Sequence, residues 1–258
     1  MEINHDSPYN GASDDEQEDV EMARQECIVS SELLPFLDQD SESLPMVDAK
    51  NIVSKFSFTQ KLLPKEPESD EDGDLIVSRV NDIKHSVIYT EYSTSTPLDS
   101  VGLQVWRGAL LLADWALHHA DLLKNATVLE LGSGTVLEFD FFNDEWSSEL
   151  NDVASRTSIV LAADVIYDDI LTEAFVKTLK RLLSTPPSKT VYMALEKRYV
   201  FTLADFDSVA PCFEHFLRCI DKPDFPWKLE SISCDFPQYF NYQRTNELAM
   251  WKIVSNSN

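Results

Sequence analysis

Glu130 stands two residues ahead of Gly132-Ser-Gly134, at the end of the apolar run Thr127 to Leu131. Glycines there would let the backbone approach a ligand closely and adopt positive φ angles. A lone Gly-x-Gly is more often a hairpin or strand-end turn, but the acid ahead of it shifts the balance. A carboxylate would repel a pyrophosphate, whereas it suits a zwitterionic, cationic ligand. Metal chemistry has no comparable signature. His5, His85, His118, His119 and His215 form no ligand pattern and read as structural or surface residues. Cys27, Cys212, Cys219 and Cys234 contain no pair with metal-ligand spacing and imply no disulfide framework. A reducing intracellular setting, nucleus or cytoplasm, is expected.

The elements that must position these residues follow from hydrophobic periodicity. Thr127 to Leu131 reads as a strand. Ile159 to Ile166 is nearly continuous in apolar residues, as in a strand covered on both faces. Asp168 or Asp169 can cap the next helix, in which Leu171, Phe175, Thr178, Leu179 and Leu182 share one side before Pro186-Pro187. Thr190 to Leu195 is another buried strand, and a helix broken at Pro211 is expected over Leu203 to Ile220. Trp227 to Phe236 and Glu247 to Val254 complete the pattern as strands. Upstream, Gln104 to Leu123 has helical spacing, with Val105, Ala109, Leu112, Ala113 and Ala116 on one face and Trp106 near its start. Alternation of strand and helix with a two-strand finish points to an α/β fold with a mostly parallel sheet.

The amino-terminal part is organised differently. Residues 1–26 are acidic and poor in large apolar side chains, and disorder is expected there. Residues 27–95 read as an extension with short strands, interrupted by an acidic, proline-containing linker at 64–74. Ile28-Val29, Leu33-Leu34, Ile52 to Phe58, Leu75 to Val80 and His85 to Tyr92 are its candidate ordered segments. The α/β domain occupies 96–258. Of the net charge of −24, residues 1–74 carry −15, from 20 acidic and five basic side chains. This balance argues against direct nucleic-acid binding, which depends on neutralising phosphates. It suits a basic partner, although a simple solvated tail has the same composition. No apolar stretch is long enough for a membrane span, and Met1 to Asn10 lacks the features of a secretory signal.

Gln104-Val-Trp-Arg-Gly-Ala-Leu-Leu-Leu-Ala-Asp114, Val128 to Gly134 and Ala162-Ala-Asp-Val-Ile-Tyr-Asp-Asp169 stand in an order that resembles the seven-strand protein-lysine methyltransferases. Leu195-Glu-Lys-Arg198, Phe236-Pro-Gln238 and Leu248-Ala-Met-Trp-Lys-Ile253 extend the likeness over roughly Asp70 to Val254. The resemblance implies a Rossmann-like sheet, S-adenosylmethionine as methyl donor and a protein lysine as acceptor. It implies that Trp106 packs on the cofactor, and that Glu130, Gly132 and Gly134 border its amino-acid end. Asp140 resembles the acid near the adenine. Asp164 and Tyr167 match the family's Asp-x-x-Tyr, facing both cofactor and lysine. Any preference for the nucleus rests on the resemblance alone.

One departure stands out. Only 29 residues separate Gly134 from Asp164, where the family fits about three strand-helix units at roughly 30 residues each. Thr135 runs directly into Val136 to Asp140, which looks like the family's third strand. The first crossover helix, the second strand with its ribose-holding acid, and the second crossover helix are therefore expected to be missing. A parallel return normally needs a dozen or more residues, so Gly132 to Thr135 is expected to form a hairpin loop or a disordered junction. The alternatives are a non-catalytic interaction protein and, less well supported, another Rossmann nucleotide-binding enzyme, which the lack of a full Gly-x-Gly-x-x-Gly disfavours.

Overall fold

The computed structural model describes residues 28–33, 51–61, 72, 83–133, 140–143, 145–202, 207–222, 225 and 227–255. The acidic amino-terminal segment, Gly134, the 136–139 stretch and Leu75 to Val80 lie outside them, as does most of the 64–74 linker. Strands are β1 (Ile28–Ser30), β2 (Asn51–Lys61), β3 (Ile83–Ser93), β4 (Ser95–Pro97), β5 (Val128–Leu131), β6 (Ile159–Ala163), β7 (Thr190–Glu196), β8 (Val200–Thr202), β9 (Asp207–Val209), β10 (Trp227–Ile232) and β11 (Leu248–Ser255). Helices are α1 (Arg107–His118), α2 (Ala120–Leu123), α3 (Ser148–Arg156), α4 (Asp169–Leu183) and α5 (Pro211–Ile220).

A five-stranded mixed sheet runs in the order β10-β11-β7-β6-β5. β5, β6 and β7 are parallel, β11 is antiparallel to β7, and β10 is antiparallel to β11. This is the expected parallel sheet with an antiparallel finish. β7 shows why the sequence folds this way. Val191, Met193 and Leu195 pack toward α4 and α5, while Tyr192 and Ala194 pack toward α1. A period of two with apolar residues on both sides needs helices on both faces. Phe175, Leu179, Phe216 and Ile220 fill one layer, and Leu111, Trp115, Met250 and Phe240 fill the other.

Several expectations shift in detail. β6 stops at Ala163 because Asp164 takes a left-handed φ of 48°. The helical stretch after Gln104 begins at Arg107, and His119 separates α1 from α2. Its buried face is Gly108, Leu111, Leu112 and Trp115, joined by Leu110 and Asp114, rather than the alanine stripe. Pro211 does not break a helix; it starts α5, where its missing N–H costs nothing. α3 had no counterpart in the sequence reading. Ser147 caps it by accepting from the Leu150 N–H at 3.1 Å, and Leu150 and Ala154 are buried.

The extension contributes to the same core. β1 pairs with β4, and Leu33 is buried in the α1 layer. β2 and β3 form an antiparallel ribbon whose Phe58 ring lies 5.2 Å from Phe240. Among the described residues, no helix is long and apolar enough to cross a membrane.

Candidate functional site

β6 and β7 end side by side, and the start of α1 lies against their carboxyl ends. Ligands of open α/β sheets bind in that position. Asp164 occupies its centre. Its Oδ2 accepts from the Gly108 N–H at 2.7 Å, and its Oδ1 accepts from the Glu196 N–H at 2.9 Å. One carboxylate thereby ties the first turn of α1 to the end of β7. Its own N–H donates to the Ala194 carbonyl at 2.9 Å. Burial pushes the Asp164 pKa up, while the bonds from Glu196 and Gly108 and the nearby Arg198 act against that rise.

Gly108 is needed for this approach. A Cβ there would collide with the Asp164 carboxylate. α1 begins after Trp106, whose indole N–H donates to the Val101 carbonyl at 2.9 Å. The Arg198 guanidinium lies 4.9 Å from the Trp106 ring centroid, a cation–π distance.

Glu196 is a buried acid at the same end of the sheet. Its Oε1 pairs with Arg107 at 3.0 Å and accepts from the Thr245 hydroxyl at 3.2 Å. Its Oε2 is buried and has no hydrogen-bond partner among the described residues. Burial, then the Glu32 charge, push its pKa up; Arg107 and Arg198 oppose them. Glu32, just after β1, pairs with Arg107 at 3.3 Å and Arg198 at 2.6 Å. The extension thus reaches the site through a two-arginine bridge.

The glycine turn is next to Asp164 but less complete. Gly132 has φ of 82°, and a Cβ would come within 2.7 Å of the Val165 side chain. Glu130 is exposed on β5. Gly134 lies outside the described residues, as does the hairpin or disordered junction expected around it. Asp140 is exposed in a turn, with Oδ1 accepting from the Phe142 N–H at 2.8 Å. Tyr167 is partly buried, three residues beyond Asp164.

Of the predicted residues, then, Trp106, Gly132, Asp164 and Tyr167 surround one end of the sheet. Glu130 lies on β5, whereas Asp140 sits in a turn whose next residue, Phe141, packs on Phe175 of α4. Sequence reasoning assigned no role to Gly108, Arg107, Glu32, Glu196 or Arg198. The Glu-Lys-Arg run was the available signal for two of them. Phe236-Pro-Gln238, by contrast, serves the loop before β11. Gln238 Nε2 donates to the Phe240 and Tyr242 carbonyls at 2.9 and 2.7 Å.

The loop is also held by a buried carboxylate on α1. Asp114 accepts from the Tyr239 and Phe240 N–H groups, from the Tyr242 hydroxyl, and from Arg244 Nη2 at 2.7 Å. This network positions the entry into β11.

Gly132 and Asp164 are the polar positions at this end of the sheet, with Trp106 at the entry of α1 beside them. No described strand lies beyond β5, and Asp140 is in a surface turn.

A sequence profile of the lysine methyltransferase family matches residues 141–210, which include Asp164, Tyr167 and Glu196. Methyltransferase-like protein 22 of Homo sapiens is 30% identical over 251 residues, covering 72% of this chain and 62% of the human protein. The Mus musculus protein of the same name is 31% identical over 265 residues, covering 74% of this chain and 67% of its own length. The chain therefore spans less than two thirds of the human relative.

Proposed function

Because the chain belongs to the lysine methyltransferase family, we propose that it carries the acceptor side of a protein-lysine methyltransferase whose S-adenosylmethionine site is reduced. The observation that carries the reading is the short connection between β5 and β6, which pair in parallel with Val128 opposite Ile159. Residues 132–158 alone connect them, with α3 as the described helix. That length suits one crossover and not the longer excursion expected of the family. The matched stretch of the human relative supports the same reading: 251 residues align, yet only 72% of these 258 take part. The relative therefore contributes positions that have no counterpart here.

On the acceptor side, the residues suit a lysine amine. Asp164 is held by two N–H groups and cannot swing away from its place. Glu196 Oε2 has an unused lone pair in a buried setting, where an ammonium N–H would be its natural partner. Burial of the incoming lysine lowers its pKa and favours the neutral amine that can attack a methyl group. S-adenosylmethionine, when bound, would supply that methyl on its sulfonium. The protein's part is alignment. A protein presenting a lysine on a basic surface, in the cytoplasm or nucleus, fits the acidic chain.

Cofactor affinity is where the reading has force. A ribose-holding acid contributes two charged hydrogen bonds of about 1.5–3 kcal/mol each. A micromolar complex has only about 8 kcal/mol in all. Without that acid, binding falls by orders of magnitude, and a non-catalytic interaction role becomes the second reading. Calorimetric titration with S-adenosylmethionine tests this, comparing the chain with a version carrying a relative's additional segment after Thr135. The extended version is expected to bind at least about 100-fold more tightly. Equal micromolar affinity would overturn the reduced-site reading. Loss of binding in a cooperatively folded 258-residue chain favours the interaction role.

A further inference from the structure

Glu173 on α4 and His215 and Cys219 on α5 converge away from the site described above. His215 and Cys219 are four residues apart, so they share one face of α5. Cys219 Sγ lies 3.3 Å from His215 Nε2, and the same nitrogen lies 3.2 Å from Glu173 Oε1. All three candidate ligand atoms fall within 4.8 Å of one another. Zinc takes sulfur at about 2.3 Å and nitrogen or oxygen at about 2.0–2.2 Å in a tetrahedral array. Ligand atoms in such an array are about 3.3–3.6 Å apart.

We propose that Glu173, His215 and Cys219 form a zinc site that clamps α4 to α5, with solvent completing the tetrahedron. A single proton on Nε2 serves only one of its two neighbours well. A cation between the three atoms lets sulfur, nitrogen and carboxylate act as donors together. The access is suitable: the Glu173 side chain is 65% exposed and His215 18%, which leaves an open side for water. Cys219 is partly buried beneath them.

Without metal, burial and the Glu173 charge hold the Cys219 thiol up and therefore protonated. On binding, the S–H bond breaks, the Zn–S bond forms, and one proton leaves to solvent. The Asp169 charge also favours a cation here, whereas Arg218 and Lys222 oppose it. Sequence reading overlooked the pair because His215 and Cys219 offer only two ligands. The third comes from a helix 42 positions earlier, and only the packing of α4 on α5 supplies it.

The test uses the full 258-residue chain, stripped with a chelator and kept reduced. Zinc is titrated against a chromophoric competitor, and cobalt(II) serves as the spectroscopic probe. One equivalent of zinc at micromolar Kd or tighter is expected, and cobalt should give a thiolate charge-transfer band with tetrahedral visible bands. Glu173→Gln alters an exposed side chain and should weaken binding at least about tenfold. Cys219→Ser should abolish the charge-transfer band, while Cys212→Ser should retain it. No saturable binding below about 100 μM zinc, or a cobalt spectrum without the thiolate band, would overturn the proposal. Both overturning outcomes are read on the wild-type chain, so a variant that fails to fold does not rescue or sink it.

Discussion

Asp164 and its neighbours show how much depends on a few atoms. An aspartate in the left-handed region carries a backbone cost that the surroundings must outweigh. Here the two N–H groups from Gly108 and Glu196 supply the holding force. Gly108→Ala would force Cβ against the Asp164 carboxylate, and a loss of about 1–3 kcal/mol is expected. Urea unfolding measures it, with Gly102→Ala as the control, since nothing lies within 4 Å of a Cβ at Gly102. Gly132 could be recognised from its place after a strand. Gly108 could not, because its need for a bare Cα comes from a residue 56 positions away. Glu196 makes a pH prediction. Its folded pKa is raised above the ordinary value of 4.5, so the folded chain holds the proton more tightly than the unfolded one. Its contribution to stability is complete below the ordinary pKa and is lost as pH rises through the raised one. Glu196→Gln should therefore gain stability relative to wild type as pH rises through that interval and converge with it at lower pH. Parallel denaturation curves between about pH 4 and 8 check this.

At the scale of elements, legibility tracked periodicity. β6 and β7 were visible as near-continuous apolar runs, and α4 because its apolar residues share one face and Asp168 caps it, accepting from the Leu171 N–H at 2.9 Å. α3 was not visible. Its nine residues bury only Leu150 and Ala154, so its apolar stripe is faint. Its cap carries more of the burden, and Ser147→Ala is expected to cost about 1 kcal/mol, seen as a lower unfolding midpoint. The loop before β11 hid its logic more thoroughly. Asp114 is a charge within an apolar helix, yet it is fully buried and takes four hydrogen bonds from residues more than 120 positions away. Asp114→Ala strands the Arg244 guanidinium and two N–H groups. A loss of about 3–5 kcal/mol is expected, measured by denaturant unfolding. A one-dimensional pattern cannot anticipate a bond whose partner lies across the fold.

Taken as a whole, the described residues place a well-packed sheet centre beside a more exposed margin. The centre, β7 with its two helical layers, is sealed on both sides. The margin is β5, where Val128 is 39% exposed and β6 is the sole strand partner among the described residues. Outward-facing N–H and C=O groups on a terminal strand can accept a strand from any other chain, whatever its side chains. A brief, four-residue edge limits this, but the exposed valine offers no charge to resist it. An exposed terminal strand also governs colloidal behaviour. Light scattering should rise with protein concentration, and Val128→Lys should suppress that rise without lowering the unfolding midpoint. The same few backbone groups would then decide how much of this chain a cell, or a test tube, can keep in solution.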